Sequence, residues 1–341
     1  MNFYGVLSLV AGQRMPGWMK TAGLAAMHAF GRRCIGVYLD PSTGCNLRCR
    51  MCYFSDPGHD AHVRQIDEKR LDNIARAFYH RAMKLQIGCG TEPTLYRGLD
   101  AIVARARSAG VPFISLTTNG QLLAANPKRL EAMAAAGLDE ITISAHGTRA
   151  ETYEYLMPGA SFEKFRTLLS VIAGLKKRYP RFSVRLNFTF NSMNIGDLAP
   201  ENFWALWSDV KPDTVQLRPV QNMGGTAWTD YDTAALKDRY DSTVGRIVDD
   251  CRKRGIKVLA PEKEQLDLVD DEQDWATAAI EDVSYCYVSP DSVYKPDFDE
   301  QNDTYESYHR RHHTLRHLVG SIFSHSSRRR DASKKLNYTV K

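Results

Sequence analysis

An α/β fold, a partial (β/α)6 TIM-like barrel, is predicted for this 341-residue chain by three features. Six short β-branched or apolar runs alternate with amphipathic helical stretches, the pattern of a parallel sheet with helices outside it. Gly110 and Gly137 stand where helix-terminating glycines belong, each followed closely by the next strand run. No glycine-rich dinucleotide fingerprint follows the first strand, which sets aside a doubly wound open sheet.

Residues 1–34 read as a leader whose 21–30 portion is an amphipathic helix ending in Arg32-Arg33. A helix capping the barrel is the favoured role, and peripheral membrane contact is the alternative. Residues 35–220 form the barrel. Strands are expected at 35–40, 85–89, 113–118, 140–145, 183–190 and 214–219. Helices are expected at 67–83, 99–109, 128–136 and 162–177, the first because Leu71, Ile74, Ala75 and Phe78 recur at helical spacing. Residues 221–305 read as an irregular C-terminal extension, with one long helix over 231–254 and a short strand at 256–260. Residues 306–341 read as a basic, mobile tail.

Hydrophobic residues make up 43% of the chain and charged residues 25%, an ordinary globular balance. The seven cysteines do not form a disulfide framework, so a reducing, cytoplasmic compartment is expected. The apolar run at 3–10 is short and lacks a basic flank before it, which argues against a secretory signal. An acidic block (Asp267, Asp270, Asp271, Glu272, Asp274) precedes a basic, His-rich one (Arg328-Arg329-Arg330, Lys334-Lys335). Such blocks read as solvated or mobile segments. Nucleic acid is not the expected partner, because no aromatic residues interleave with those arginines.

The chemistry concentrates in Cys45, Cys49 and Cys52, three thiols within eight residues just after the first strand and the turn Pro41-Ser42-Thr43-Gly44. Spacings of four and three would set all three on one side of a helical turn. Four cysteines would close a metal site; three leave one coordination position open for a ligand. This C-x3-C-x2-C pattern resembles the radical S-adenosylmethionine (SAM) superfamily. It is nearest the branch that often carries a C-terminal SPASM-type extension, here without that extension's cysteines. The resemblance covers roughly residues 35–220, and it implies a [4Fe–4S] cluster held by the three cysteines, with SAM on the fourth iron. One departure is Met51, where the family usually has an aromatic residue.

Gly90-Thr91-Glu92-Pro93 resembles the family's Gly-Gly-Glu-Pro, which holds the SAM amino group, with threonine for the second glycine. Ser144 matches a serine that contacts SAM. His146 replaces an aspartate and offers a proton or hydrogen-bond role, against the structural role a lone histidine usually has. An arginine that holds the SAM carboxylate is absent, since Met157 stands there; Arg149 and Arg185 are both candidates to replace it. On the fifth strand Arg185, Asn187 and Thr189 share one face, and Arg218 nears the end of the sixth. Cys34, Cys89, Cys251 and Cys286 read as buried thiols, too few for a second cluster. The resemblance implies an electron donor such as flavodoxin or ferredoxin, and hydrogen abstraction from a substrate for which a peptide is the guess. The rival readings are a zinc site completed by His59 or His62, and an iron–sulfur barrel acting as a scaffold or binding module.

Overall fold

The computed structural model describes residues 16–60, 62–221, 225–267 and 278–323, and the backbone of 271–277, 327–330 and 339–340. Six strands form its centre: β1 (Ile35–Leu39), β2 (Ala82–Ile87), β3 (Ile114–Thr118), β4 (Glu140–Ser144), β5 (Ser183–Phe190) and β6 (Thr214–Pro219). Each pairs in parallel with the next. The segment after residue 220 then extends the sheet at both ends. β7 (Lys257–Ala260) lies parallel to β6. β8 (Asp271–Asp274) stands outside the main sheet, whereas β9 (Tyr285–Ser289) runs parallel to β1. β10 (Ser292–Val293) on β9 and, after β11 (Ser327–Arg330), β12 (Thr339–Val340) on β7 make antiparallel edges. The ten-stranded order is β10-β9-β1-β2-β3-β4-β5-β6-β7-β12, so the barrel is open. The acidic strand β8 pairs with the arginine strand β11, Asp271 opposite Arg330.

The helices are α1 (Gly17–Ala29), α2 (Glu68–Ile74), α3 (Leu99–Ser108), α4 (Gln121–Ala125), α5 (Pro127–Ala136), α6 (Ala150–Leu156), α7 (Phe162–Arg178) and α8 (Pro200–Leu206). They continue with α9 (Ala234–Tyr240), α10 (Val244–Lys253), α11 (Trp275–Ser284), α12 (Tyr305–Arg311) and α13 (Thr314–Ile322). None of the described helices is long and apolar enough to cross a membrane.

Strand alternation sorts the core. Val37, Leu85, Leu116, Ile141, Leu186 and Leu217 are fully buried in one continuous apolar cluster with the helices. The intervening residues form a polar inner lining, whose members bond to one another across strands. Ser115 Oγ donates to Gln86 Oε1 (2.8 Å), Gln86 Nε2 donates to Thr117 Oγ1 (2.6 Å), and Arg185 pairs with Glu140 (2.8 Å). The polar face read on the fifth strand is thus part of a lining shared by its neighbours.

Local outcomes differ from the sequence pattern where side chains or tertiary contacts intervene. The helix expected over 67–83 becomes α2 and a π-helical stretch, Ala75–Tyr79, with β2 already begun at Ala82. The strand expected to reach residue 89 stops at Ile87, because Gly88 takes φ +80° and its backbone crowds Thr117 O and Pro93. The single helix expected over 231–254 is two. Ser242 and Thr243 hydroxyls donate to Arg239 O between them, the back-bonding by which such residues interrupt helices. Residues 306–322, read as part of a mobile tail, lie in α12 and α13; beyond Phe323 that tail lies outside the described residues, save the backbone of β11 and β12.

Candidate active site

The three cysteines lie on the loop leaving β1, and that loop is not a helical turn. Its backbone is drawn instead onto the end of α6 and the turn after it: Arg48 N donates to Pro158 O (3.0 Å) and Arg50 N to Leu156 O (3.0 Å). Only Cys52 N to Cys49 O (2.9 Å) closes a local turn. Gly159 helps this approach, since with φ +92° it sits against Leu47. The clasp places Met157, the position lacking the family arginine, in the buried wall behind the loop. Met51 is buried too, with Asn191 Nδ2 donating to its sulfur (2.8 Å).

Cys45, Cys49 and Cys52 are free thiols, each partly exposed. Burial, opposed in part by an H-bond from Leu47 N, pushes Cys45 up to about 11. Burial and then the adjacent Cys45 and Cys52 sulfurs push Cys49 higher still. Three sulfurs that feel one another on one loop are the donor set an iron–sulfur cluster needs. Among the described residues no three His, Cys, Asp or Glu side chains converge tightly enough for a single metal ion. A [4Fe–4S] cube asks less convergence, because each thiolate takes its own iron. His59, a fourth ligand in the zinc reading, packs edge-on against Tyr53 and Phe54 at 5.1 and 4.5 Å. A cavity of about 450 Å³ opens beside the loop, with Arg48 and Arg50 on its wall.

The Gly90–Pro93 turn follows β2 and is held from two sides. Asp40, fully buried at the end of β1, accepts from Cys89 N (2.7 Å), Gly90 N (3.1 Å) and the Tyr287 hydroxyl (2.9 Å). Tyr53 donates to Gly90 O (2.5 Å), and Thr91 donates to Ser42 O (2.7 Å). Glu92 points inward. Its Oε1 accepts from Thr94 N (3.1 Å), the Thr94 hydroxyl and Thr118 Oγ1 (2.6 Å), while Oε2 accepts from Asn119 N alone (2.9 Å). Burial raises its pKa and those four donors oppose the rise; Oε2, with one donor among the described residues, keeps a second lone pair open.

Ser144, the last residue of β4, pairs in register with Asn187 within β5. Asn187 Oδ1 is buried with no hydrogen-bond partner among the described residues, as is Gln221 Nε2 just past β6. Unpaired buried polar atoms are what a polar ligand would satisfy. His146 Nδ1 accepts from Thr189 N (3.1 Å), which puts the ring proton on Nε2. Burial lowers its pKa to about 4, with Arg218 adding to the effect, so the imidazole is neutral near pH 7. Neither replacement for the missing arginine is placed to reach a ligand unencumbered. Arg185 lies lower in the barrel on Glu140 and Gln216, and Arg149 pairs with buried Asp197 (2.9 Å). Arg218, beside Thr189 in register, has no ion pair among the described residues.

Asp40, Tyr53 and Tyr287 are the residues that sequence reasoning missed. Asp40 carried a weak signal, a carboxylate at a strand's C-terminal end before a proline. Tyr287 carried none, because its strand sat in a region read as irregular.

An open parallel barrel with a three-thiol loop after its first strand and a buried glutamate after its second defines a class, and residues 39–186 match the radical SAM superfamily. That segment, less than half of the chain, is a radical SAM domain, and the superfamily's cofactors are a [4Fe–4S] cluster and SAM. A probable GTP 3′,8-cyclase from Saccharolobus solfataricus is 31% identical over 168 residues, which is 48% of this chain and 51% of the relative. A second probable GTP 3′,8-cyclase, from Metallosphaera sedula, is 31% identical over 44% of this chain and 45% of its own. The chain therefore spans about half the length of the curated relatives it matches. SuiB of Streptococcus suis, solved bound to SAM, has the same fold, with a TM-score of 0.61 at 15% identity over 88% of this chain and 70% of SuiB.

Proposed function

We propose that this chain is a radical SAM enzyme in which Cys45, Cys49 and Cys52 hold three irons of a [4Fe–4S] cluster. The observation that carries the reading is the three-thiol loop clasped at the mouth of the barrel beside the buried Glu92. When bound, cluster and SAM supply reductive cleavage of a carbon–sulfur bond, giving methionine and a 5′-deoxyadenosyl radical that abstracts hydrogen from substrate. The protein's part is to orient and to exclude water. Gly90 and Thr91 present backbone to the SAM amino group, and the spare lone pair of Glu92 accepts from its ammonium. Ser144 and Asn187 offer hydrogen bonds from the neighbouring strands β4 and β5. Neutral His146 donates through Nε2 to the substrate, and Arg218 takes a carboxylate. Arg48 and Arg50 suit an acidic electron donor such as flavodoxin or ferredoxin.

A peptide is the proposed substrate. Its support is the shared fold with SuiB, which was also solved bound to the precursor peptide SuiA, at a TM-score of 0.58 over 93% of this chain and 66% of SuiB and 13% identity. The test is anaerobic reconstitution and reduction with SAM, followed by chromatography for 5′-deoxyadenosine. Its formation by the wild type and its loss in a Cys45→Ala, Cys49→Ala, Cys52→Ala variant is the expected result; no formation by the wild type overturns the enzyme reading. Mass spectrometry of the same reactions, supplied with peptides or with GTP, decides the substrate class.

A further inference from the structure

On helix α1 the polar residues Thr21 and His28 face the protein, His28 Nδ1 lying 3.3 Å from the Tyr305 hydroxyl, together with Leu24 and Ala25. The residues left in solvent from Trp18 to Phe30 are Trp18, Met19, Gly23, Ala26, Met27, Ala29 and Phe30. At about 100° per residue these span one half of the helix, and none is charged. Trp18 is 57% exposed and Phe30 79%. Helix α13 packs against α1 and exposes Leu315 and Val319 one turn apart, with Phe323 at its end. Of the eleven large hydrophobic residues exposed among the described residues, seven lie on these two helices or cap their C-terminal ends. So strong a concentration marks a binding surface rather than scattered surface apolarity.

Charge says what the surface meets. Residues 1–39 contain Arg14, Lys20, Arg32 and Arg33 and no Asp or Glu; residues 307–323 contain Arg310, Arg311 and Arg316 and again no acid, Arg311 being paired with Asp303. Lys20, Arg32, Arg310 and Arg316 form no ion pair among the described residues. We propose that α1 and α13 together dock this protein onto an anionic phospholipid surface. The apolar half of α1 enters the interfacial region, and the surrounding cations meet lipid phosphates. A second copy would bring the same cations to the contact and be repelled.

The test is co-sedimentation of the full-length protein with phosphatidylcholine vesicles, with and without phosphatidylglycerol. Binding is expected only with phosphatidylglycerol, and weaker in high salt. Because each basic residue near such a surface contributes roughly fivefold, K20Q/R32Q/R316Q should weaken binding on the order of a hundredfold. W18S/F30S should abolish it with far-UV circular dichroism unchanged. Absence of binding by the wild type overturns the proposal. So does binding indifferent to phosphatidylglycerol, or binding retained by both variants. Sedimentation equilibrium provides the remaining outcome: a wild-type dimer that W18S/F30S dissociates, without vesicle binding, assigns the face to self-association and also overturns it.

Discussion

Glu92→Gln separates two roles that one carboxylate performs. With the glutamine oxygen in place of Oε1, the three donors from Thr94 and Thr118 stay satisfied, but the new amide N–H₂ faces Asn119 N–H at the former Oε2 position. Flipping the amide instead strands those three donors. Either way at least one buried donor loses its acceptor, costing about 1–3 kcal/mol. Gln carries no charge to desolvate, and Glu92 carries such a penalty, so the net loss of stability is on the order of 1–2 kcal/mol. SAM binding should suffer separately, because a carboxylate–ammonium hydrogen bond contributes about 1.5–3 kcal/mol, or roughly 10- to 100-fold in affinity. Urea denaturation of the cluster-free protein reads the first quantity. Isothermal titration of SAM into reconstituted protein under argon reads the second. Lost stability with unchanged SAM affinity would show that Glu92 only braces the loop, refuting its assignment to the ammonium. No change in either would refute the four-bond geometry itself.

Asp40→Asn should lower stability by about 1–2 kcal/mol and weaken SAM binding, because the amide can accept from only part of the Cys89, Gly90 and Tyr287 donor set; unchanged urea midpoint and SAM titration would contradict the buckle it forms between β1 and the Gly90 turn. Stability should also fall as pH drops from about 6.5 toward 4. Burial lowers His309 to about 3 and His146 to about 4, so below the ordinary histidine range the unfolded chain takes protons that the folded one refuses. Each histidine withdraws on the order of 3 kcal/mol across that window. His309→Gln, where the ring now bonds Tyr294 (2.8 Å) and Thr314 (2.7 Å), should show a shallower decline in pH-dependent urea midpoints than wild type; a parallel decline would remove His309 from the account.

Much of this molecule is written in short-range sequence. Alternating apolar runs and terminal glycines determine that β1 to β6 form in order, because strand and helix periods bury different residues. The spacing of Cys45, Cys49 and Cys52, and Glu92 one βα unit later, mark the mouth of the barrel for the same local reason: a strand's C-terminal end is where the chain turns to face a ligand. What local pattern could not contain was partnership across long separations. The cysteine loop is shaped by the carbonyls of Leu156 and Pro158, a hundred residues away, rather than by its own helical spacing. Asp40 gained its role only when β9 brought Tyr287 beside it, and Arg185 lost its expected role when Glu140 lay next to it in the folded sheet. On α1 the sequence supplied two faces, and only packing against α11, α12 and α13 determined that the one bearing Thr21, Leu24, Ala25 and His28 turned inward, where His28 meets Tyr305.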